Sequence, residues 1–486
     1  MTRQLRAVGV IVLLMFASLF VASTTIQVFQ ADALAENPHN TRTRLASYNV
    51  QRGPILVAGS PIASSVPSDD QFKYLRQYAN GPLYSAVTGY YTLDNGRTGV
   101  EDALNAELSG QGGSQFFQGL TRLFTGQKPE GAAVELTISP AAQQAAWDAL
   151  GDYRGAVVAI DPKTGGILAM VSKPTFDPNQ LAGHDDDTIK AAYNELLADA
   201  DKPLQNRATG GDMNPPGSVF KLVIAAAALE AGIAQPDSPL PNPATFTLPG
   251  TSVEVNNPSH GSPCGAGDTT TLRTAIEQSC NIPFAQLAIQ LGADRVRAMA
   301  EAFGFNHEFD IPFAASPSVY PTGKLDEAQV GLTGFGQYDV RATPLQIALV
   351  SAGIANGGDV MNPTLVSQVL TPDLHELQGP SQSKYKTAVS QATAQALQSM
   401  MIGSVANGVA SNARIDGVDV AGKTGTAENG PGDPYSLWFT GFAGNQHGQV
   451  AVAVVLEDGG GQGQSGTGNG LAATIGQQVM KAVLNA

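Results

Sequence analysis

The sequence predicts an α+β protein held to a membrane by its N-terminus, with two folded units beyond the anchor. A long apolar run opens the chain, strand signals stand at both ends of residues 155–486, and Ala-rich helical signals lie between them. Strands at the two ends with helices between imply a sheet completed by distant segments, the α+β pattern. At 486 residues the chain exceeds one ordinary domain. Its 43% hydrophobic and 14% charged residues suffice for a sizeable core. A formal net charge of −15 argues against nucleic acid as partner, because binding phosphate needs basic faces.

Arg3 and Arg6 precede a charge-free run over residues 7–26. As a helix, that run matches a hydrocarbon core of about 30 Å, and the two arginines assign the short N-terminal side to the cytoplasm. A cleaved signal peptide is the alternative, with Ala31-Asp32-Ala33 or Ala33-Leu34-Ala35 as its cleavage site. The run is longer than a usual signal core, which favours an uncleaved single pass through the cytoplasmic membrane. Either way, the rest of the chain is exported. Cys264 and Cys280 then face an oxidising compartment, where a bridge and a pair of buried thiols are both open.

Residues 31–154 carry short apolar runs (48–50, 55–57, 83–92) broken by Gly, Pro, Ser and Asp, which read as strands and turns. Residues 109–118, rich in Gly and Gln, read as a linker; 132–138 as a strand; 140–150 as a helix. From Gly155 the pattern changes. Residues 155–161 and 167–172 flank a turn at 162–166 and read as a β-hairpin; helices follow at 218–231, 272–277 and 283–292. The β-branched run 450–456 reads as a central strand, and 471–486, apolar at helical spacing, as the last helix. The expected division is 1–30 for the stub and anchor, 31–154 for a membrane-proximal domain, and 155–486 for the catalytic one.

Three short motifs carry chemistry. Ser218-Val219-Phe220-Lys221 follows Pro215-Pro216-Gly217 and opens an Ala-rich helix. Residues three apart in a first turn share a face, and a hydroxyl there sits at the positive end of the helix. A lysine desolvated enough to be neutral takes the serine proton. Ser279-Cys280-Asn281 lies between two helices, where a hydroxyl and an amide point into a cleft together. Lys423-Thr424-Gly425-Thr426 continues the run 418–421, as an edge-like strand whose glycine admits a close backbone approach. Each motif has decoys: Ser381 to Lys384 and Ser383 to Lys386 in a polar stretch, Ser47-Tyr48-Asn49, and the turn Lys163-Thr164-Gly165. Only the set at 218, 279 and 423 comes in order on helix start, inter-helix loop and strand. That ordered trio is the signature of penicillin-recognising serine enzymes.

Around the trio the chain resembles the class B penicillin-binding proteins, most of all the actinobacterial penicillin-binding protein A type. The resemblance spans residues 45–486. Arg52-Gly53-Pro54-Ile55 and Thr98-Gly99-Val100-Glu101 are similar to the family's membrane-proximal boxes. Phe176-Asp177-Pro178-Asn179, Asn206-Arg207-Ala208, Gly336-Gln337 and Thr343-Pro344-Leu345-Gln346 are similar to stretches flanking its active site. Val57-Ala58-Gly59 departs from the charged residues many members carry there. The resemblance implies a serine β-lactamase-like transpeptidase domain with an antiparallel sheet and helices, preceded by a small membrane-proximal domain and a transmembrane helix. It implies a D,D-transpeptidase that acts on peptidoglycan stem peptides ending in D-Ala-D-Ala and is acylated by β-lactams. Ser218 is then the nucleophile, Lys221 its base, Ser279 a proton relay, and Asn281 a peptide holder. Lys423 and Thr424 orient the cluster, Thr424 and Thr426 bind the substrate carboxylate, and Gly425 completes the third motif. The amides of Ser218 and Thr426 form the oxyanion hole. A membrane glycosyltransferase is the implied partner, since residues 31–154 are too few for such a domain here.

A D,D-carboxypeptidase uses the same residues and differs only in its acceptor; a penicillin-binding sensor or scaffold needs no chemistry, but every motif residue is present. A class A β-lactamase would place its Glu-x-x-Leu-Asn box after the second motif, whereas Glu101 to Asn105 lies far before Ser218 and reads as an ordinary amphipathic helix. Gly461 to Gly466 matches a dinucleotide fingerprint, yet too few residues follow for that fold. The histidines at 39, 184, 260, 307, 375 and 447 show no metal spacing and read as surface residues. No cofactor and no metal are expected. Trp438 and Phe439 read as core.

Overall fold

The computed structural model describes residues 2–30, 34, 48–93, 95–111, 130–258, 261–373, 375–445 and 448–485. Helix α1 (Thr2–Thr24) continues into a π-helical turn, Thr25–Phe29. The segment Arg3–Phe29 is apolar, unburied and long enough to cross a membrane. The alternative cleavage sites except Leu34, residues 112–118 of the Gly/Gln-rich stretch, Ser47, His39, His260 and His447 lie outside the described residues.

The N-terminal region beyond the apolar helix is built on strands β1 (Ile55–Val57), β2 (Ser60–Pro67), β3 (Tyr74–Tyr78) and β4 (Ala133–Leu136). Their sheet runs Glu376–Gln378, Val366–Leu370, β4, β1, β2, β3, with β1 and β4 parallel. Residues 83–92 are not the expected strand. Gly81–Thr88 is helix α2, with Pro82 in its first turn and Leu83, Tyr84, Val87 and Thr88 buried on one helical face. A short apolar run has no decisive period of its own, so tertiary burial chose between the two. Residues 48–50 are likewise a turn, and the Tyr48 ring packs on Phe72 and Tyr91.

The two membrane-proximal boxes meet in this region. Arg52 Nε and Arg76 Nε lie 2.6 and 2.7 Å from the Glu101 carboxylate, all three side chains buried, and Arg52 Nη1 donates to Asn105 Oδ1 at 2.8 Å. The stretch from Glu101 to Asn105 is therefore not one ordinary amphipathic helix. It falls in two short helices, Gly99–Ala103 and Asn105–Leu108, and its glutamate is a buried counter-ion. His184 also departs from the surface expectation: its side chain is 7% exposed and pairs with Asp70.

Helix α3 (Pro140–Leu150) has the expected bounds: Ser139 caps it and Pro140 opens it. Strands β5 (Gly155–Ile160) and β6 (Ile167–Lys173) form the expected hairpin. Helices follow as α4 (Lys221–Glu230), α5 (Leu272–Glu277), α6 (Ile282–Leu291), α7 (Pro344–Ala355) and α8 (Gln391–Ala406). Strands β7 (Val420–Ala427), β8 (Ser436–Asn445) and β9 (Gly448–Leu456) precede the last helix, α9 (Ala472–Leu484). The five-stranded sheet is ordered β7-β8-β9-β5-β6 and antiparallel throughout. Distant segments do complete it.

Both faces of this sheet are covered. Ala156, Val158, Met170 and Ala453 enter one core, and Val157, Ala159, Val171 and Val452 the other. Helix α7 covers one face, while α3 and α9 pack together on the opposite one. That double burial is why these strands read as unbroken apolar runs. Connections cross position 154/155 in both directions: α3 precedes it but packs on α9, and Val366–Leu370 follows it but pairs with β4. Trp438 and Phe439 are fully buried in the core.

Candidate active site

The site forms where edge strand β7 meets the starts of α4 and α6. Pro215-Pro216 stop the preceding chain, and Gly217, at φ 54°, turns it into a 3₁₀ turn over Gly217–Phe220. Ser218 lies on that turn, half-buried, and Lys221 is the first residue of α4, fully buried. Phe220 is wedged between Phe305 and Tyr320, which fixes the turn from beneath. Ser279 stands in the short link between α5 and α6 at φ 60°, and Asn281 precedes the first turn of α6, where Pro283 sits.

These elements bring the three motifs together. Lys221 Nζ donates to the Ser279 carbonyl at 2.6 Å and to Asn281 Oδ1 at 2.7 Å. Lys423, also fully buried, donates from Nζ to Ser279 Oγ at 2.6 Å and to the Thr424 carbonyl at 2.8 Å. Ser279 thus joins the two lysines. Thr424 is buried and Thr426 exposed, and two apart on the strand they share one of its faces. Cys264 and Cys280 are bridged, which ties the segment around 264 to the second motif. The decoys stay apart: Lys384–Thr387 is an exposed strand, and Gly165, at φ 77°, belongs to the β5–β6 turn.

Among the described residues no carboxylate pairs with either lysine. Burial pushes Lys221 well below the usual lysine range, and repulsion from Lys423 adds to it. Burial lowers Lys423 to about 7. Two desolvated ammonium groups sharing Ser279 do not both stay charged. Both are thus pushed toward the neutral amine, Lys221 by burial and by the nearby charge of Lys423, Lys423 by burial. A serine at a helix start three residues before a buried lysine shifted toward its neutral form, with a second hydroxyl bonded to another buried lysine, is equipped for acyl transfer.

Known proteins can be set against this geometry. Residues 155–481 match the penicillin-binding protein transpeptidase domain. The chain belongs to the penicillin-binding protein transpeptidase family. Residues 52–134 match the penicillin-binding protein A dimerisation domain. The peptidoglycan D,D-transpeptidases PbpA of Mycolicibacterium smegmatis and Mycobacterium tuberculosis are 42% and 41% identical, over 100% of this chain and 99% of theirs. The ceftriaxone acyl-enzyme complex of M. tuberculosis penicillin-binding protein A superposes with a TM-score of 0.85 at 41% identity, covering 90% of this chain and all of that one. Within the family the chain is of the class B, penicillin-binding protein A type.

Two details of this site go beyond the motif pattern. A Cβ on Gly425 would lie 3.0 Å from the Pro216 carbonyl, so the glycine also admits the serine turn. Asn281 is engaged internally, since Nδ2 donates to the Asn256 carbonyl at 2.8 Å, and one N–H remains to meet a ligand. Sequence reasoning also missed Asn257, whose Oδ1 accepts from the amides of Asn281 and Ile282 at 3.0 and 3.1 Å. Nothing in the polar stretch around it marks that role.

Proposed function

We propose that this chain is a peptidoglycan D,D-transpeptidase acting through an acyl-enzyme on Ser218. The observation that carries the assignment is the buried Lys221–Ser279–Lys423 array, paired with no carboxylate among the described residues. Ser218 Oγ attacks the carbonyl carbon between the two D-alanines, and its proton passes to Lys221. The oxyanion rests on the amides of Ser218 and Thr426, where one donor is worth about a hundred- to a thousandfold in rate. Ser279, whose hydroxyl is bonded to Lys423, hands a proton to the departing D-alanine nitrogen, leaving an ester on Ser218. An acceptor amine attacks that ester, forms the new amide and returns the proton to Ser218. Asn281 holds the peptide through its remaining N–H. Lys423, Thr424 and Thr426 receive the terminal carboxylate. In a β-lactam the broken amide stays tethered, so its nitrogen does not leave and the ester persists.

Arg3 and Arg6 before the apolar helix support a single pass with the N-terminus in the cytoplasm and the catalytic domain outside. A separate membrane glycosyltransferase is the partner that would supply glycan strands for cross-linking.

The test uses the full chain in detergent and its Ser218→Ala variant. Wild type should hold a fluorescent penicillin through denaturation for hours, and the variant should not label at all. With a D-Ala-D-Ala peptide and an added amine, the product should be the new amide. Hydrolysis alone would make the enzyme a carboxypeptidase, and absence of label on folded wild type would end the assignment.

The lysines set the pH dependence. The neutral form of Lys221 accumulates as pH rises through its lowered value, so the acylation rate should already be high at neutrality and fall toward acid. Lys423 loses its charge above about 7, so affinity for the penicillin carboxylate should weaken on the alkaline side. Stopped-flow acylation across pH, with rate and affinity resolved, would show opposite trends; one common trend would contradict the assignment of the proton.

A further inference from the structure

Resting on the acyl-transfer reading above, we propose that Asn214 is a positioning residue that sets the spacing of the Ser218 and Thr426 amides, with Glu457 and Arg207 locking its orientation. The two halves of the anion-stabilising site come from different parts of the chain, the turn at 214–217 and strand β7. They abut backbone to backbone. A Cβ on Gly217 would lie 2.9 Å from Ala427 Cβ, and one on Gly336 would lie 2.1 Å from the Gly217 carbonyl. Contact of this kind resists compression but offers little resistance to sliding.

Directional bonds supply that resistance. Trp438 Nε1 donates to the Pro215 carbonyl at 3.0 Å, and Ser436 Oγ donates to Asn214 Oδ1 at 2.9 Å. Ser436 faces Ala427 across the β7–β8 pair, one residue beyond Thr426, and is fully buried. Its oxygen also accepts from Asn429 Nδ2 at 3.0 Å, with Asn429 Oδ1 at 3.3 Å as a weaker competing acceptor. The Asn214–Ser436 bond therefore ties the turn before the nucleophile to the strand end beside the second amide.

A side-chain amide can turn over and lose such a bond, and Glu457 prevents it. A carboxylate only accepts. Glu457 Oε1 takes Asn214 Nδ2 at 3.3 Å, and Oε2 takes Arg154 Nε and Arg207 Nε at 3.0 Å each. Arg207 is buried and held by the carbonyls of Asp201 and Lys202 at 2.6 and 3.2 Å. Asn214 Nδ2 also reaches the Asp212 carbonyl at 3.2 Å. With Nδ2 committed to acceptors, Oδ1 stays on Ser436.

The experiment measures penicillin acylation of the full chain, separating the dissociation constant of the first complex from the rate constant of ester formation. Asn214→Ala should slow ester formation by about ten- to a hundredfold, leave the dissociation constant within about threefold, and still label completely at long times. Ser436→Ala removes the same bond from the other side; it should reproduce the effect, and serves if Asn214→Ala folds poorly. Asn214→Asp adds a second carboxylate beside Glu457. Its deficit relative to wild type should narrow as pH falls, because a proton shared by the pair restores the donor. Unchanged ester formation in folded Asn214→Ala and Ser436→Ala would overturn the proposal, as would a loss confined to the dissociation constant. Failure of wild type to label would instead remove the reading on which it rests.

Discussion

Lys221→Met should lower the rate of Ser218 acylation by about a hundred- to ten-thousandfold, the usual worth of a positioned general base. The methionine fills the same buried volume, so the protein should still fold, although the Ser279 carbonyl and Asn281 Oδ1 lose their donor. Lys221→Arg should not rescue it, because a guanidinium stays charged at every working pH and takes no proton. The contrast separates a base from a mere cation. A time course of fluorescent penicillin labelling decides the matter: arginine restoring the rate would mean that position 221 serves through charge, and the proton would have to go elsewhere.

Glu101→Gln should destabilise the region built on β1–β4 by about 3–5 kcal/mol, since it leaves two buried guanidinium groups without a counter-charge. Both Arg52 and Arg76 bond its carboxylate, and all three are buried. Burial raises the Glu101 carboxyl, but the two arginines outweigh it and hold it below the usual glutamate range. A carboxyl lowered on folding contributes stability above its unfolded value, and loses it as pH falls through the folded one. Denaturant unfolding of wild type should therefore weaken toward acid, and the glutamine variant should be weak at neutrality and less sensitive to acid. The Ser218 site stands on other elements, so labelling by penicillin should persist in conditions where the variant stays folded. A variant within about 1 kcal/mol of wild type would show that the arginines find other partners.

Much of the catalytic domain was legible because its signals are local. The β5–β6 hairpin carries its own turn, α3 its own serine cap and proline, and α5 and α6 flank a motif whose proline marks the helix start. The ordered trio at 218, 279 and 423 was equally legible, because each motif's element has a signature in the residues beside it. The run at 83–92 was not: its apolar residues suit either period, and only burial against the neighbouring sheet selected a helix. The role of Glu101 was hidden for a related reason. Its partners Arg52 and Arg76 lie on other elements, and a glutamate in a short helical segment looks solvated until those arginines are placed on it.

The sequence by itself determined the family, the trio of motifs, the apolar helix at the N-terminus and the order of the elements around the nucleophile. Those features depend on neighbouring residues, whose spacing and composition are visible without a fold. The tertiary structure alone decided that the sheet built on β1–β4 takes strands from beyond residue 365, that Gly425 makes room for the serine turn, and that Asn257, Asn214 and Glu457 brace the site. It also lowered the lysines from their ordinary range, because a lysine's charge depends on how much water and counter-charge surround it, and only the folded chain sets both.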